Sequence, residues 1–151
     1  MSAPSVRILA DATAVADTAA DLIVEAATSA VAERGVFHLC STGGSTPAAL
    51  YRALRAPSRV TRMPWSATQI WFGDDRFVPR HDPLSNLHPL DVNLLCDGAD
   101  GERAPIAAGA IHPWPTGEAD AASAVRRYLA ELDMSGVPHT PKGFPVFDLL
   151  P

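Results

Sequence analysis

The chain has 151 residues, 47% of them apolar, and its 17 acidic and 12 basic side chains leave a formal net charge of −5 at pH 7. That is enough apolar material for one domain with its own core, and the negative balance argues against a broad nucleic-acid-binding surface. Lys142 is the single lysine and sits in a Pro/Gly-rich loop, so chemistry that needs a buried amine has one poorly placed candidate.

"VRILA" (6–10) reads as a first strand. From Asp11 to Arg34 the pattern is helical: Val15, Ala19, Leu22, Ile23, Ala26 and Ala30 share a stripe, with Asp17, Asp21 and Glu25 facing away. Asp11 suits the N-cap, and Gly35 stands where a C′ glycine belongs. "VFHLCS" (36–41) is a second, buried strand. Thr46 is placed to cap the next helix, with Pro47 at its first position, and that helix runs to about Leu54. "RAPSRVTRMPW" reads as a loop or broken helix, and "TQIWF" (68–72) as a third strand.

A long loop rich in Pro, Asp and His follows, then a short helix at 90–96 and another loop at 97–105. Residues 118–132 are helical, with Ala121, Val125, Tyr128, Leu129 and Leu132 inward. After a linker, "VFDLL" (146–150) begins a further strand. Strands alternating with helices predict a single α/β domain, an open and mainly parallel Rossmann-like sheet with flanking helices. Strand 146–150 has no crossover helix after it in this sequence. It is expected to be an exposed edge through which the chain self-associates.

Cys40 and Cys96 have no metal-type spacing and make no disulfide framework, so both read as reduced core or near-core residues. The N-terminus lacks a basic stretch followed by an apolar one, and no apolar run approaches the roughly 20 residues of a membrane span. A cytoplasmic protein with no membrane partner is expected.

Two stretches carry candidate chemistry. In "HLCSTGGSTPAALY" (38–51) a buried strand stops at a glycine turn and a helix begins. Gly43 and Gly44 let the backbone approach a ligand closely. The helix start presents unsatisfied N–H groups with a partial positive charge, and Ser41, Thr42, Ser45 and Thr46 add hydroxyls. Together these suit one phosphate. Neither a Walker-type P-loop nor a dinucleotide fingerprint is present. The same residues read equally as an ordinary capped turn.

In "WFGDDRFVP" (71–79), Asp74, Asp75 and Arg76 follow a strand end, where α/β sheets place ligands. Asp74 and Asp75 are candidate bases or orienting groups, and Arg76 offers a planar fork for phosphate or a carbonyl. The bland alternative is a loop with one ion pair. Asn86, in "HDPLSN", is a candidate for a sugar hydroxyl. His81 and His88 lack a third metal ligand, so no metal is expected. His38 reads as a satisfied core histidine, and Trp65, Trp71 and Trp114 as packing groups.

"STGGSTPAALYRAL", "IWFGDDRFVPRHDPLSNLHPLDVNLL", "IHPW", an Ala-rich helix and "FDLL" follow in order. This series resembles the N-terminal part of the glucosamine-6-phosphate isomerase/6-phosphogluconolactonase family. The resemblance implies hydrolysis of 6-phosphoglucono-δ-lactone to 6-phosphogluconate in the pentose phosphate pathway, with a sugar phosphate as partner and no metal or organic cofactor. It places Gly43, Gly44, Ser45 and Thr46 in the phosphate-binding loop. Asp74 and Arg76 match the first acid and the arginine of the family's Gly-Asp-Glu-Arg stretch. Asp75 departs from the glutamate there by one methylene. The family's Gly-x-Gly-x-Asp-Gly-His segment, whose histidine is taken as the general base, is not among these residues. None of His38, His81, His88, His112 or His139 sits in such a motif, so the base is carried over to none of them and impaired activity is expected. The alternatives are a glucosamine-6-phosphate isomerase/deaminase-like enzyme, whose relatives carry a Met-Asp-Glu-Tyr type stretch in place of "GDDRF", and a non-catalytic sugar-phosphate-binding protein.

Overall fold

A computed structural model describes residues 6–97 and 102–150. Part of the loop expected at 97–105 lies outside them. The first long element is α1 (Ala12–Arg34). Asp11 caps it by accepting the Ala14 N–H at 2.8 Å, and Gly35 ends it with φ +78° and an N–H bond to Val31, as the sequence predicts. Then come β1 (Phe37–Ser41), α2 (Thr46–Arg55), α3 (Pro57–Val60), β2 (Thr68–Phe72), α4 (Leu87–Asn93) and α5 (Ala121–Met134).

β1 and β2 pair in parallel, Phe37 opposite Thr68 through Ser41 opposite Phe72. Single parallel bridges extend the ladder on both sides, Ile111 against Ile70 and Leu149 against Leu39. The spatial order is therefore the Leu149 segment, β1, β2, then the Ile111 segment. The chain moves outward from β1 on one side and returns to its other side at the end. Alternate residues of β1 and β2 point to opposite faces. Phe37, Leu39, Ile70 and Phe72 join the large core under α1, α2 and α4. Trp71 joins a smaller one with Tyr128 and Leu132 of α5. Helices thus cover both faces of a parallel sheet, the α/β architecture predicted.

Four expectations are corrected. Residues 6–10 form no strand: Val6 and Ile8 are 86% and 92% exposed, and a strand sequence without a paired neighbour has nothing to hold it extended. Residues 146–150 touch the sheet through one bridge, with Cys40 N–H donating to Leu149 and Asp148 N–H to His38, both at 3.0 Å. The stripe of α1 is rotated, for Ala16, Ala20, Ile23, Val24, Ala27 and Ala30 are buried while Val15 and Leu22 are about half exposed. Apolar residues lie on nearly every side of this helix, and the face that docks is the one whose alanines let backbones approach closely. Asp17 and Asp21 face away from the buried stripe as expected, about half exposed, and grip Arg59 of α3 at 2.7 and 2.8 Å; this bonding holds the Asp21 carboxyl below its usual range. In α5 the inward line is Ala124, Tyr128 and Leu132, whereas Ala121, Val125 and Leu129 are exposed.

The outer side of β2 is finished by side chains. The Ile111 segment takes one ladder bond, His112 N–H to Ile70, and then diverges. Beyond it, the Phe72 N–H donates to the Tyr128 hydroxyl at 2.9 Å, and that hydroxyl donates back to the Phe72 carbonyl at 3.0 Å. The Trp114 indole N–H reaches the same carbonyl at 2.9 Å and its ring stacks on Tyr128. Burial pushes the Tyr128 hydroxyl above its ordinary pKa, so it remains a donor. Trp114 is thus a hydrogen-bonding group as well as the packing group expected. Tyr128→Phe leaves a buried N–H without a partner, and urea denaturation should show a loss of about 1–3 kcal/mol. An unchanged midpoint would remove Tyr128 from the support of β2.

His38 is buried beside Trp71, whose indole N–H donates to its Nδ1 at 3.2 Å, while its Nε2 has no partner among the described residues. It is a core histidine, as expected, but only one nitrogen is satisfied. Burial lowers its pKa below 6.5, partly opposed by the Asp148 carboxylate. Above pH 6.5 the ring is neutral whether the chain is folded or not. As pH falls below that value the unfolded chain takes up a proton that the folded site resists, so stability is lost. The urea midpoint should therefore fall between about pH 7.5 and 5.5, and less so in His38→Gln. Equal slopes in both proteins would place the pH dependence elsewhere.

Candidate functional site

The loops after β1 and β2 leave the carboxyl ends of adjacent parallel strands, the usual ligand side of such a sheet. Gly73 N–H donates to the Ser41 carbonyl at 3.4 Å and ties the two loops at their roots. Below the first loop, Tyr51 of α2 is buried, with its hydroxyl 2.6 Å from Ser41 Oγ and donating to the Thr42 carbonyl at 3.3 Å. Burial pushes the Tyr51 hydroxyl up to about 12. Ser41 is therefore committed inside the fold and does not offer its hydroxyl to a ligand. Thr42, Gly44, Ser45 and Thr46 are exposed, and Gly43 is half-buried.

Gly44 has φ +92°, a left-handed conformation that side chains with a Cβ resist. Ser45, rather than Thr46, is the N-cap of α2, and neither cap bond comes from its side chain; Thr46 is the first helical residue and Pro47 the second. The N–H groups at this helix start are consequently not taken by a cap hydroxyl.

The second loop is organised by Asp75. Its carboxylate accepts the Arg76 N–H at 2.8 Å, the Asn86 N–H at 2.7 Å and the Ser85 hydroxyl at 3.1 Å. The shorter aspartate arm thus finds three donors close to its own backbone. Asn86 is 1% exposed. Its Nδ2 donates to both the carbonyl and the carboxylate of Asp74 at 2.9 Å, and its Oδ1 accepts from the Arg76 guanidinium. Asn86 also lies directly under Gly43, where a Cβ would stand 1.7 Å from Asn86 Oδ1. Gly43 is thus required by contact within the protein. The sugar-hydroxyl role expected of Asn86 does not suit a buried amide already engaged on both sides.

Arg76 is exposed and, among the described residues, pairs with no carboxylate. The ion-pair reading of this loop therefore fails. A cleft of about 440 Å³ is lined by Arg76 together with Gly44, Ser45, Asn86 and His88. Gly44, Ser45, Asn86 and Arg76 line this cleft, with Gly43 packed on Asn86 and Asp74 bonded to it. Thr46 instead borders a separate apolar groove with Val15 and Leu50. On the other side of the acidic loop a hollow of about 250 Å³ is lined by Asp74, Asp75, Phe77, Trp114 and Val125.

Sequence reasoning missed Ser85, Tyr51 and His88. The Ser85 hydroxyl meets Asp75 ten residues earlier in the same loop, the Tyr51 hydroxyl reaches back from α2 to Ser41 of β1, and His88 lines the cleft from the first turn of α4. Burial, with a smaller contribution from Asp74, pushes the Cys40 thiol up to about 11, so this cysteine stays protonated behind the site. Among the described residues no three His, Cys, Asp or Glu side chains are grouped to hold a metal, and no helix is long and apolar enough to cross a membrane. Arg76, which pairs with no carboxylate among the described residues, thus shares one cleft with the left-handed Gly44 and with Ser45 at the start of α2.

The sequence matches the family described as glucosamine-6-phosphate isomerases/6-phosphogluconolactonase over residues 10–150. A 6-phosphogluconolactonase of Nostoc sp. is 31% identical over 146 residues, covering 97% of this chain and 56% of the relative. One of Streptomyces coelicolor is 30% identical with the same two coverages. The crystal structure of a devB protein superposes with a TM-score of 0.76 at 27% identity, over 95% of this chain and 55% of that one. The 6-phosphogluconolactonase from Trypanosoma cruzi, at 22% identity, shares the fold with a TM-score of 0.77. The chain spans a little over half the length of the curated relatives it matches. Its match along nearly the whole of its own length shows that this chain belongs to the glucosamine-6-phosphate isomerase/6-phosphogluconolactonase family.

Proposed function

We propose that this chain carries the phosphate-gripping part of a 6-phosphogluconolactonase site, for hydrolysis of 6-phosphoglucono-δ-lactone to 6-phosphogluconate. The observation that carries the reading is one cleft lined by Arg76, which pairs with no carboxylate among the described residues, and by Gly44 and Ser45 at the start of α2. The sugar's phosphate binds there, held by Arg76, by backbone N–H groups of residues 43–46 and by the Ser45 hydroxyl. Asp74, at the rim, orients the sugar. In the reaction, water adds to the lactone carbonyl, the ring C–O bond breaks and the released oxygen takes a proton. The base that activates the water is assigned to none of the five histidines here.

The isomerase alternative has less support: "GDDRF" differs from its Met-Asp-Glu-Tyr type stretch, and the relatives described above are named lactonases. The proposal includes a cytoplasmic location, no nucleic-acid partner and self-association along the segment paired to Leu39, where Phe144 and Leu150 are 65% and 67% exposed. Sedimentation over a hundredfold concentration range tests the last point, and a monomer throughout would remove it.

Gly44→Val forces a β-branched residue into φ +92°, so the turn must rearrange. Calorimetry should show loss of 6-phosphogluconate binding in a protein with unchanged circular dichroism. Arg76→Lys keeps the charge and loses the fork, weakening binding by about 1–3 kcal/mol. Parent-like affinity in both variants would move the phosphate site away from this cleft.

A further inference from the structure

We infer that Asn86 is the positioning residue of this anion site: it aims Arg76 across the cleft and locks the glycine turn opposite it, without itself touching the ligand. The inference rests on the phosphate-binding reading above and deepens it. Three observations converge on one side chain. Its Oδ1 accepts from the Arg76 guanidinium. Its Nδ2 holds the Asp74 carbonyl and carboxylate, both at 2.9 Å. Its amide fills the space where Gly43 would carry a Cβ. At 1% exposure its amide adds little surface to the cleft it borders, so its influence passes through these partners.

The chemistry of the group matters as much as its place. An amide orients a guanidinium by hydrogen bonding yet leaves the positive charge intact. A carboxylate at the same point would hold the arginine as firmly and cancel the charge meant for the phosphate. Asp75, the carboxylate nearest in sequence, takes the Arg76 backbone N–H and leaves its side chain alone. Asn86 also explains why the two loops act as one unit. Displacing it frees Arg76 on one side and removes the floor of the glycine turn on the other.

The test is a double-mutant cycle read by calorimetric affinity for 6-phosphogluconate, in the complete polypeptide. Asn86→Ala should weaken binding roughly tenfold in the parent and by about threefold in an Arg76→Ala background, where only its hold on the glycine turn remains to be lost. Should Asn86→Ala fail to fold, the isosteric Asn86→Asp replaces it. It should weaken binding in the parent by cancelling the charge of Arg76, and that loss should shrink likewise once Arg76 is gone. Equal losses in both backgrounds would make Asn86 a scaffold residue only and overturn the inference, leaving the phosphate site in place. Absence of 6-phosphogluconate binding in the parent would instead sink the functional reading itself.

Discussion

The site depends on one positive charge being kept out of ion pairs although two carboxylates directly precede it in sequence. Arg76 directly follows Asp74 and Asp75, and left to themselves such neighbours would pair. The fold prevents this by giving each acid another donor. Asp75 receives two backbone N–H groups and the Ser85 hydroxyl, and Asp74 receives the Asn86 amide. Hydrogen bonds to a carboxylate satisfy its lone pairs locally, so the guanidinium is not needed there. It is turned toward the cleft, where its pairing with a phosphate would be bidentate and charge-assisted.

That arrangement is possible because β1 and β2 are neighbours in register. Parallel pairing brings both carboxyl ends to the same side, so the glycine turn and the acidic loop emerge within reach of one buried amide. The end of β2 is a weak point, since the Ile111 segment leaves it after one bridge. Tyr128 and Trp114, from the other side of the sheet, supply the missing ladder bonds at Phe72. A sheet edge is thereby finished with side chains, and the residue they fix is the last one before the site loop. The loop that carries Asp74, Asp75 and Arg76 thus relies on Tyr128 of α5 and on Trp114, which precedes that helix.

Much of the plan was legible in the sequence because it rests on local signals. Asp11 and Gly35 bound α1, the short apolar runs gave β1 and β2, and the Gly-Gly turn and "GDDR" stretch stood out at strand ends. What misled was periodicity in alanine-rich helices. In α1 and α5 small apolar residues occupy several sides, and the docking face is chosen by how closely backbones approach, which period alone does not encode. Residues 6–10 have strand-like composition, yet a strand exists only when another chain segment offers its ladder. The roles of Asn86, Ser85 and Tyr51 were hidden for a related reason: each acts through partners about ten or more residues away that only the folded chain brings near.

The two glycines of the turn show how one motif contains two constraints. Gly44 is needed for its own backbone, since its Cβ position is open space but its φ is left-handed. Gly43 has an unremarkable backbone and no room, because Asn86 stands where a side chain would begin. A pair that looks like a single phosphate-approach signal is therefore half conformation and half packing. The packing half belongs to a residue forty-three positions later. The proposed phosphate site is accordingly a property of the contact between two loops, with the glycine turn supplying the surface and the buried amide holding the arginine beside it.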